Sequence, residues 1–270
     1  VSRGLGDVYK RQLEVHSASY LETPAMDDQK RLKFLGYGKP DNASKTVFSS
    51  SYASTLILQG KLQKGQHVDI MDFPFPKVLV KDGHYTGRIK VTLVYDPILI
   101  QNQGSEYCQS NLEVKFGTYD EKKDTTDFLS RFNPVKRVGS FNTLLKGQYG
   151  KRQISRNLKY AGERTLIKYG QKYHPVKKYA FDLSEIKPSL TKNISGDKQW
   201  FLFLEGHYRN YAEKDSIHHQ TILSIPYSLI ITIEDPDGQA QVYDSTVQEL
   251  DANNFVHSNV SVDNNIHISN

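Results

Sequence analysis

Three histidines lie close together in the last third of the chain, and imidazole is a common ligand for metal ions. His207 lies two residues after Glu205, and His218 and His219 follow as neighbours. Imidazole and carboxylate together suit Zn²⁺. The spacing fits poorly, because adjacent residues on a strand face opposite sides and residues 210–220 are polar, as loops are. The pattern favours solvated loop histidines, with a metal site as the alternative, and we predict no metal-binding residues.

His16 and Ser17 offer a base and a hydroxyl at adjacent positions near the start of the chain. Serine hydrolases need a nucleophilic Ser, a His base and an Asp that orients the His. Neighbours on a helix point about 100° apart and do not form a hydrogen-bonded pair. We therefore interpret both residues as part of a helix end packed near the core. We predict no catalytic residues and no cofactor-binding residues in this chain.

Acidic turns and one basic segment suggest two other kinds of binding. Asp96, Asp235 and Asp237 lie in turns that could hold Ca²⁺, but no Asp-x-Asp-x-Asp-Gly spacing is present, and turn capping is favoured. Residues 146–178 contain ten basic residues and one acidic residue, Glu163, a local net charge of +9 against +5 for the chain. This segment could contact an acidic protein partner or, through its interleaved tyrosines, nucleic acid.

Two alternating stretches indicate the elements that must position these side chains. In residues 88–93 apolar and polar residues alternate, and Asp96-Pro97 ends the run. A β-branched run from Ser228 ends in the same way, at Asp235-Pro236. Two such strands, far apart in sequence, predict the centre of a mainly β fold, an antiparallel β-sandwich of the jelly-roll type.

Other stretches predict further strands of the same sandwich. Residues 56–62 and 67–70 flank a Lys64-Gly65 turn, which predicts a β-hairpin. Residues 112–116 alternate between apolar and polar types, and residues 200–204 form a continuous apolar run. We expect all of these segments to contribute to one core.

Composition limits the remaining possibilities. The chain has 270 residues, of which 37% are hydrophobic, and its 17 Tyr and 12 Phe are too many for a disordered protein. Cys108 is the one cysteine, which excludes an internal disulfide and a cysteine-based zinc site. The sequence contains no apolar run of about 18 residues, so it predicts no membrane span. The compartment stays open, with the cytoplasm slightly favoured, because the first residue is Val1 and the true N-terminus is expected to be missing.

Several motifs, taken in order, resemble one protein family. The sequences LEVHSA (13–18) and GYGKPD (36–41) resemble the stretch downstream of the nucleophile in subtilisin-like serine peptidases. The sequence TLVYDP (92–97) is similar to a strand in the C-terminal β-domain of large bacterial members. Residues 200–204 and the strand that ends in Glu234-Asp235-Pro236 fall where that family has its closing strands. The resemblance covers residues 13 to 250.

The resemblance implies a division of the chain into four parts. Residues 1–12 resemble a translated sequencing adaptor, as found in metagenomic assemblies, and are predicted to be a non-native tail. Residues 13–45 would be the C-terminal end of a subtilase catalytic domain, preceding a β-sandwich C-terminal domain at 46–250. Residues 251–270 are expected to form a polar tail or an edge strand.

The resemblance also implies a function for the parent chain. A bacterial subtilisin-like serine endopeptidase hydrolyses polypeptide substrates, but its Asp, His and Ser motifs are missing here, so this fragment alone is predicted to be inactive. The β-domain would stabilise or position the upstream catalytic domain, or restrict substrate access. The alternative is a stand-alone β-sandwich module that binds carbohydrate or nucleic acid.

Overall fold

The fold is mainly β and consists of antiparallel strands, which confirms the predicted fold class. The computed structural model describes residues 12–18, 35–41, 50–119, 142–143, 175–186 and 188–256. The strands are, in chain order, β1 (Ala53–Gln63), β2 (His67–Ile70), β3 (Val80–Lys81), β4 (His84–Tyr85), β5 (Arg88–Tyr95), β6 (Ser110–Tyr119), β7 (Asn142–Thr143), β8 (Val176–Asp182), β9 (Gln199–Tyr208) and β10 (Ser224–Glu234). The helices are α1 (12–17), α2 (Asn210–His218) and α3 (Val242–Ala252).

Two four-stranded sheets face each other, and their strand orders define the topology. Sheet I has the order β1-β10-β5-β8, and sheet II has the order β2-β9-β6-β7. The short β3–β4 hairpin forms a separate pair. With that hairpin set aside, each described strand is followed by a strand of the other sheet, except that β6 is followed by its neighbour β7 in sheet II. This strand order is the jelly-roll arrangement of two Greek keys.

The core lies between the sheets and is built from the inward side chains of alternating strand positions. Its aromatic centre is Trp200 on β9, which stacks on Phe75 with ring centroids 4.0 Å apart and meets Tyr85 edge-on at 5.5 Å. Phe116 of β6 is also fully buried against it. Aromatic pairs of this kind add to the free energy of burial.

The two strands singled out by their Asp-Pro ends are neighbours at the centre of sheet I. β5 and β10 pair antiparallel, with Leu93 opposite Leu229 and Val91 opposite Ile231. These side chains are buried in the core. The predicted inward faces of both strands are therefore confirmed.

The hairpin predicted for residues 56–70 is wrong. The turn itself is present, with Gly65 at φ 83° and the amide of Gln66 bonded to the carbonyl of Gln63. However, β1 pairs with β10 and β2 pairs with β9, so the turn carries the chain from sheet I to sheet II. A local pattern cannot tell a hairpin from such a crossing, because both need the same turn residues.

The turn after β10 is capped by an aspartate, as the sequence predicted. The carboxylate of Asp235 accepts hydrogen bonds from the amides of Asp237, Gln239 and Ala240. Lys81 lies 3.8 Å from carboxylate oxygens of both Asp235 and Asp237.

Helix α3 follows this turn and crosses the predicted domain boundary between residues 250 and 251. Val242 and Leu250 are buried, and Glu249 pairs with Lys77 at 3.2 Å. The helix therefore belongs to the domain, and the boundary moves beyond Ala252. Residues 257–270, which include most of the predicted tail or edge strand, lie outside the described residues.

Candidate functional site

The outer face of sheet I, the side turned away from the core, is buried where exposed polar side chains would be expected. Strand alternation directs Thr92 of β5 and Ile230 and Thr232 of β10 outwards. Their exposed fractions are nevertheless 0%, 0% and 7%. A segment outside the sandwich must therefore cover them.

Helix α1 covers this face, and Gln12 in its first turn contacts both central strands. The side-chain amide of Gln12 donates to the backbone carbonyls of Thr92 and Ser228, at 3.0 and 2.9 Å. Gln12 is fully buried. Gln12 is the last residue of the predicted non-native tail at 1–12, and residues 1–11 lie outside the described part of the chain.

His16 connects α1 to the two central strands. Its Nδ1 lies 2.8 Å from the hydroxyl of Thr92, and its Nε2 lies 2.9 Å from the hydroxyl of Thr232. Burial, with smaller effects from Lys178 and Lys90, lowers the pKa of His16 well below its usual value. A neutral imidazole suits this position, because one nitrogen donates, the other accepts, and each hydroxyl can do either.

Lys178 of β8 holds the end of α1. Its Nζ donates to the backbone carbonyls of Val15, at 2.6 Å, and Ala18. These belong to the last turn, whose carbonyls lack partners within the helix and attract positive charge. Burial, with a contribution from Lys90, lowers the pKa of Lys178 to about 7.

The glycine-rich loop at residues 35–41 is attached to both α1 and sheet I. The hydroxyl of Ser17 donates to the carbonyls of Glu14 and Asp41, at 3.0 and 3.1 Å. The hydroxyl of Tyr37 donates to the carbonyl of Val176 at 2.9 Å. Ser17 and His16 thus have separate partners, and the two side chains do not bond to each other.

The outer face of sheet II, by contrast, carries a cluster of charges. Glu113 on β6 lies directly opposite Glu205 on β9, and His207 follows on the same face. The Nε2 of His207 lies 3.4 Å from Oε1 of Glu205 and 3.6 Å from Oε2 of Glu113. Two carboxylates facing each other across strands repel. A positive charge beside them is therefore required for stability.

Lys115 and His207 supply that positive charge. The Nζ of Lys115 lies 2.6 Å from Oε1 of Glu205. The two carboxylates raise the pKa of His207 to about 9, and His207 in turn lowers the pKa of Glu113 to about 2. Burial acts to raise the pKa of Glu205, but His207 and Lys115 outweigh it and lower that pKa.

The cluster continues inward to a buried lysine through Asn111. The side-chain amide of Asn111 donates to Oε1 of Glu113 at 3.2 Å. Its Oδ1 accepts from Nζ of Lys177 at 2.6 Å and from the hydroxyl of Tyr95 at 3.2 Å. Lys177 also donates to the carbonyl of Leu112 at 2.7 Å. Hydrogen bonds therefore connect the core to the outer face of sheet II.

The structure separates the histidines that the sequence grouped together. His207 lies on β9, so its interpretation as a solvated loop residue is wrong. His218 ends α2 and His219 follows it, with Nε2 3.5 Å from Asp215, so the predicted loop at 210–220 contains a helix. Among the described residues, the group with metal-ligand spacing is Glu113, Glu205 and His207. Sequence reasoning missed Glu113, because nothing local indicates that β6 pairs with β9.

The basic segment at 146–178 is described only at its C-terminal end. Lys177 and Lys178 are buried within β8, with exposed fractions of 0% and 3%. They therefore serve the fold and are not available to a partner. Residues 146–174, where an acidic partner was expected to bind, lie outside the described residues. In the part of the chain that the structure describes, no helix is long and apolar enough to span a membrane.

Comparisons with known proteins give little similarity. No family model matches the chain, and no curated protein matches it. A solved structure, "Structure of infectious bursal disease virus Gx strain", is similar at 13% identity with a TM-score of 0.26. The match covers 71% of this chain and 33% of the chain from that virus, so this chain spans about a third of its length. Inferences about function therefore depend on the residues of the chain itself.

Proposed function

We propose that the chain is the C-terminal part of a subtilisin-like serine endopeptidase, in which the β-sandwich holds helix α1 from the C-terminal end of the catalytic domain. The observation that carries this proposal is the docking of α1 on the outer face of sheet I. Helix α1 and Ala18 after it contain the LEVHSA stretch, and the loop beside them contains GYGKPD. Both stretches carry the resemblance, and both contact the sandwich.

The contacts of α1 support a positioning role for the sandwich. In proteins most of the stability of a helix comes from tertiary packing, so the conformation of α1 depends on what it packs against. Its buried contacts to Thr92, Thr232 and Lys178 are hydrogen bonds, which fix orientation more strictly than apolar contact does. A catalytic domain whose C-terminal end includes α1 would be anchored to the sandwich in one orientation.

The chemistry of cleavage belongs to the upstream part of the parent chain in this proposal. An activated serine needs a base within hydrogen-bond distance and donors for the oxyanion. Ser17 instead donates to two backbone carbonyls, and both nitrogens of His16 face threonine hydroxyls. We therefore expect the chain alone to hydrolyse no peptide bond.

The test is to recover the upstream coding sequence and express the extended chain beside the present one. A fluorophosphonate probe, which labels activated serines, should label the extended chain and leave the present chain unlabelled. In the extended chain, His16→Ala should lower the temperature at which labelling is lost, while His219→Ala, a change at an exposed histidine, should not. An upstream sequence without a serine nucleophile, or an extended chain that stays unlabelled, would overturn the proposal.

A further inference from the structure

The three metal-ligating side chains on the outer face of sheet II are held apart at distances that suit an ion. A charge-assisted hydrogen bond between imidazole and carboxylate is about 2.7–2.9 Å long. The Nε2 of His207 lies farther than this from both carboxylates, at 3.4 and 3.6 Å. Ligands around tetrahedral Zn²⁺, with bonds of about 2.0–2.2 Å, lie about 3.3–3.6 Å from one another. The two separations from Nε2 of His207 match this second geometry, and the three ligand atoms all lie within 4.8 Å of one another.

The ring nitrogen at the centre of the cluster faces two carboxylates without making a hydrogen bond to either. The Nε2 of His207 is shielded from solvent and makes no hydrogen bond of acceptable geometry. A buried polar atom without a hydrogen bond is costly, and in native proteins it calls for an explanation such as a bound ion. A cation between Nε2 and the two carboxylates would supply the missing interaction.

The surrounding residues orient the ligands. Asn111 donates to Oε1 of Glu113, which leaves Oε2 directed towards His207. Lys115 donates to Oε1 of Glu205, the oxygen that lies 3.4 Å from Nε2 of His207. A carboxylate oxygen has two lone pairs, so Oε1 can accept this hydrogen bond and still bind an ion. Hydrogen bonds that fix metal ligands from behind are typical of protein metal sites.

We propose that Glu113, Glu205 and His207 bind a divalent transition-metal ion of the Zn²⁺ class and so link β6 to β9. Two carboxylates neutralise the charge of the ion, and the imidazole selects against Mg²⁺ and Ca²⁺, which prefer oxygen ligands. All three ligand atoms lie within 4.8 Å of one another, so small side-chain rotations would close the site. Three protein ligands leave a fourth position for water. This proposal is independent of the peptidase proposal.

The experiment measures Zn²⁺ binding by isothermal titration calorimetry on the full chain after removal of metals with a chelator. The wild type should bind one equivalent of Zn²⁺ and no Mg²⁺. His207→Gln should weaken Zn²⁺ binding at least tenfold. His219→Gln is the matched control, because His219 also lies near a carboxylate, that of Asp215, yet outside the cluster. This control should bind as the wild type does.

A second variant keeps the test valid if His207→Gln fails to fold. Glu113→Gln keeps the shape of the side chain while weakening it as a ligand. Circular dichroism should show an unchanged fold, and calorimetry should show Zn²⁺ binding reduced tenfold or more. Absence of Zn²⁺ binding in the wild type would overturn the proposal and leave the cluster as an ion-pair network. Undiminished binding in both cluster variants would also overturn it, because the ion would then lie elsewhere.

Discussion

The polar side chains on the outer faces of the two sheets are stabilised in opposite ways. On sheet I a helix covers the face, and neutral hydrogen bonds from His16 to Thr92 and Thr232 hold it there. On sheet II charged side chains occupy the equivalent position, and ion pairs such as that between Lys115 and Glu205 hold them together. One face thus excludes water from polar groups, whereas the other leaves His207 about 41% exposed.

The two histidines show what this difference does to chemistry. Burial without a negative neighbour lowers the pKa of His16, while two carboxylates raise the pKa of His207 to about 9. The same side chain is therefore a neutral connector on one face and a cation on the other. Burial lowers the pKa of an imidazole and neighbouring negative charge raises it. Burial dominates at His16 on sheet I, and negative charge dominates at His207 on sheet II.

The largest effect should come from the core that both faces share. Ile231→Ala removes a fully buried side chain on the inward side of β10 and should cost about 2–5 kcal/mol in the free energy of unfolding. Urea unfolding followed by the fluorescence of Trp200, the single tryptophan, measures this loss. Lys90→Ala, on the outward side of the neighbouring strand, breaks an ion pair with Glu234 and should cost about 0.2–1 kcal/mol. A larger cost at Lys90 than at Ile231 would mean that the assignment of faces is reversed.

An intermediate effect should come from removing the connector on sheet I. His16→Ala leaves buried hydroxyls without their partner and should cost about 1–3 kcal/mol. Thr232 keeps its bond of 2.7 Å to Thr55, so the hydroxyl of Thr92 carries most of the loss. Hydrogen exchange should rise in α1 and stay unchanged in β6 and β9. Ser17→Ala is the control, and equal effects of the two variants would contradict a special role for His16.

The smallest effect should be the response of each face to pH, and the signs should be opposite. Below pH 6.5 the unfolded chain binds a proton at His16 and the native chain does not. The contribution of His16 should therefore lower the free energy of unfolding as the pH drops below that value. Stability from His207 should be complete below pH 6.5 and should be lost as the pH rises through about 9. Melting temperatures across this range should show that His16→Gln removes the acid response and His207→Gln the alkaline response.

Lys178 also titrates in the pH range of that experiment, and its contribution must be separated from that of His207. Its pKa is about 7 in the native state and 10.5 in the unfolded chain. Between these values the unfolded chain binds the proton more tightly, and this preference for the unfolded state weakens as the pH rises. Both the wild type and His207→Gln contain Lys178. The difference between their melting temperatures therefore isolates His207, and it should be largest below pH 6.5 and shrink as the pH rises through about 9. A difference that stays the same across this range would contradict the assigned cation.

The inward half of each strand could be predicted from the sequence, because alternation records burial directly. The pattern in β5 and β10 identified the core residues, and their similar Asp-Pro ends suggested a common location. The crossing after β1 could not be predicted, since a turn at Gly65 serves a hairpin and a sheet change equally well. Helix α2 was missed because its sequence is polar, and Ala212 is its one fully buried residue among those described.

The outward half of each strand could not be predicted, because it depends on what lies across from it. Thr92 reads as an exposed position, yet α1 buries it. Glu113 and Glu205 are separated by more than ninety residues, and only the register of β6 against β9 brings them together. The adjacent His218 and His219 drew attention for their sequence proximity, whereas the group with ligand spacing is assembled by pairing between strands.

The docking of α1 also has a consequence for the order in which the fold can form during synthesis. The partner residues of Gln12 and His16 on β10 lie 216 positions later in the chain. At about 5–20 residues per second, α1 leaves the ribosome on the order of ten to forty seconds before β10 exists. A domain that contains α1 therefore stays unanchored on sheet I throughout this interval. Its attachment waits for β10, so the last contact to form along the chain is the one that fixes the first described helix.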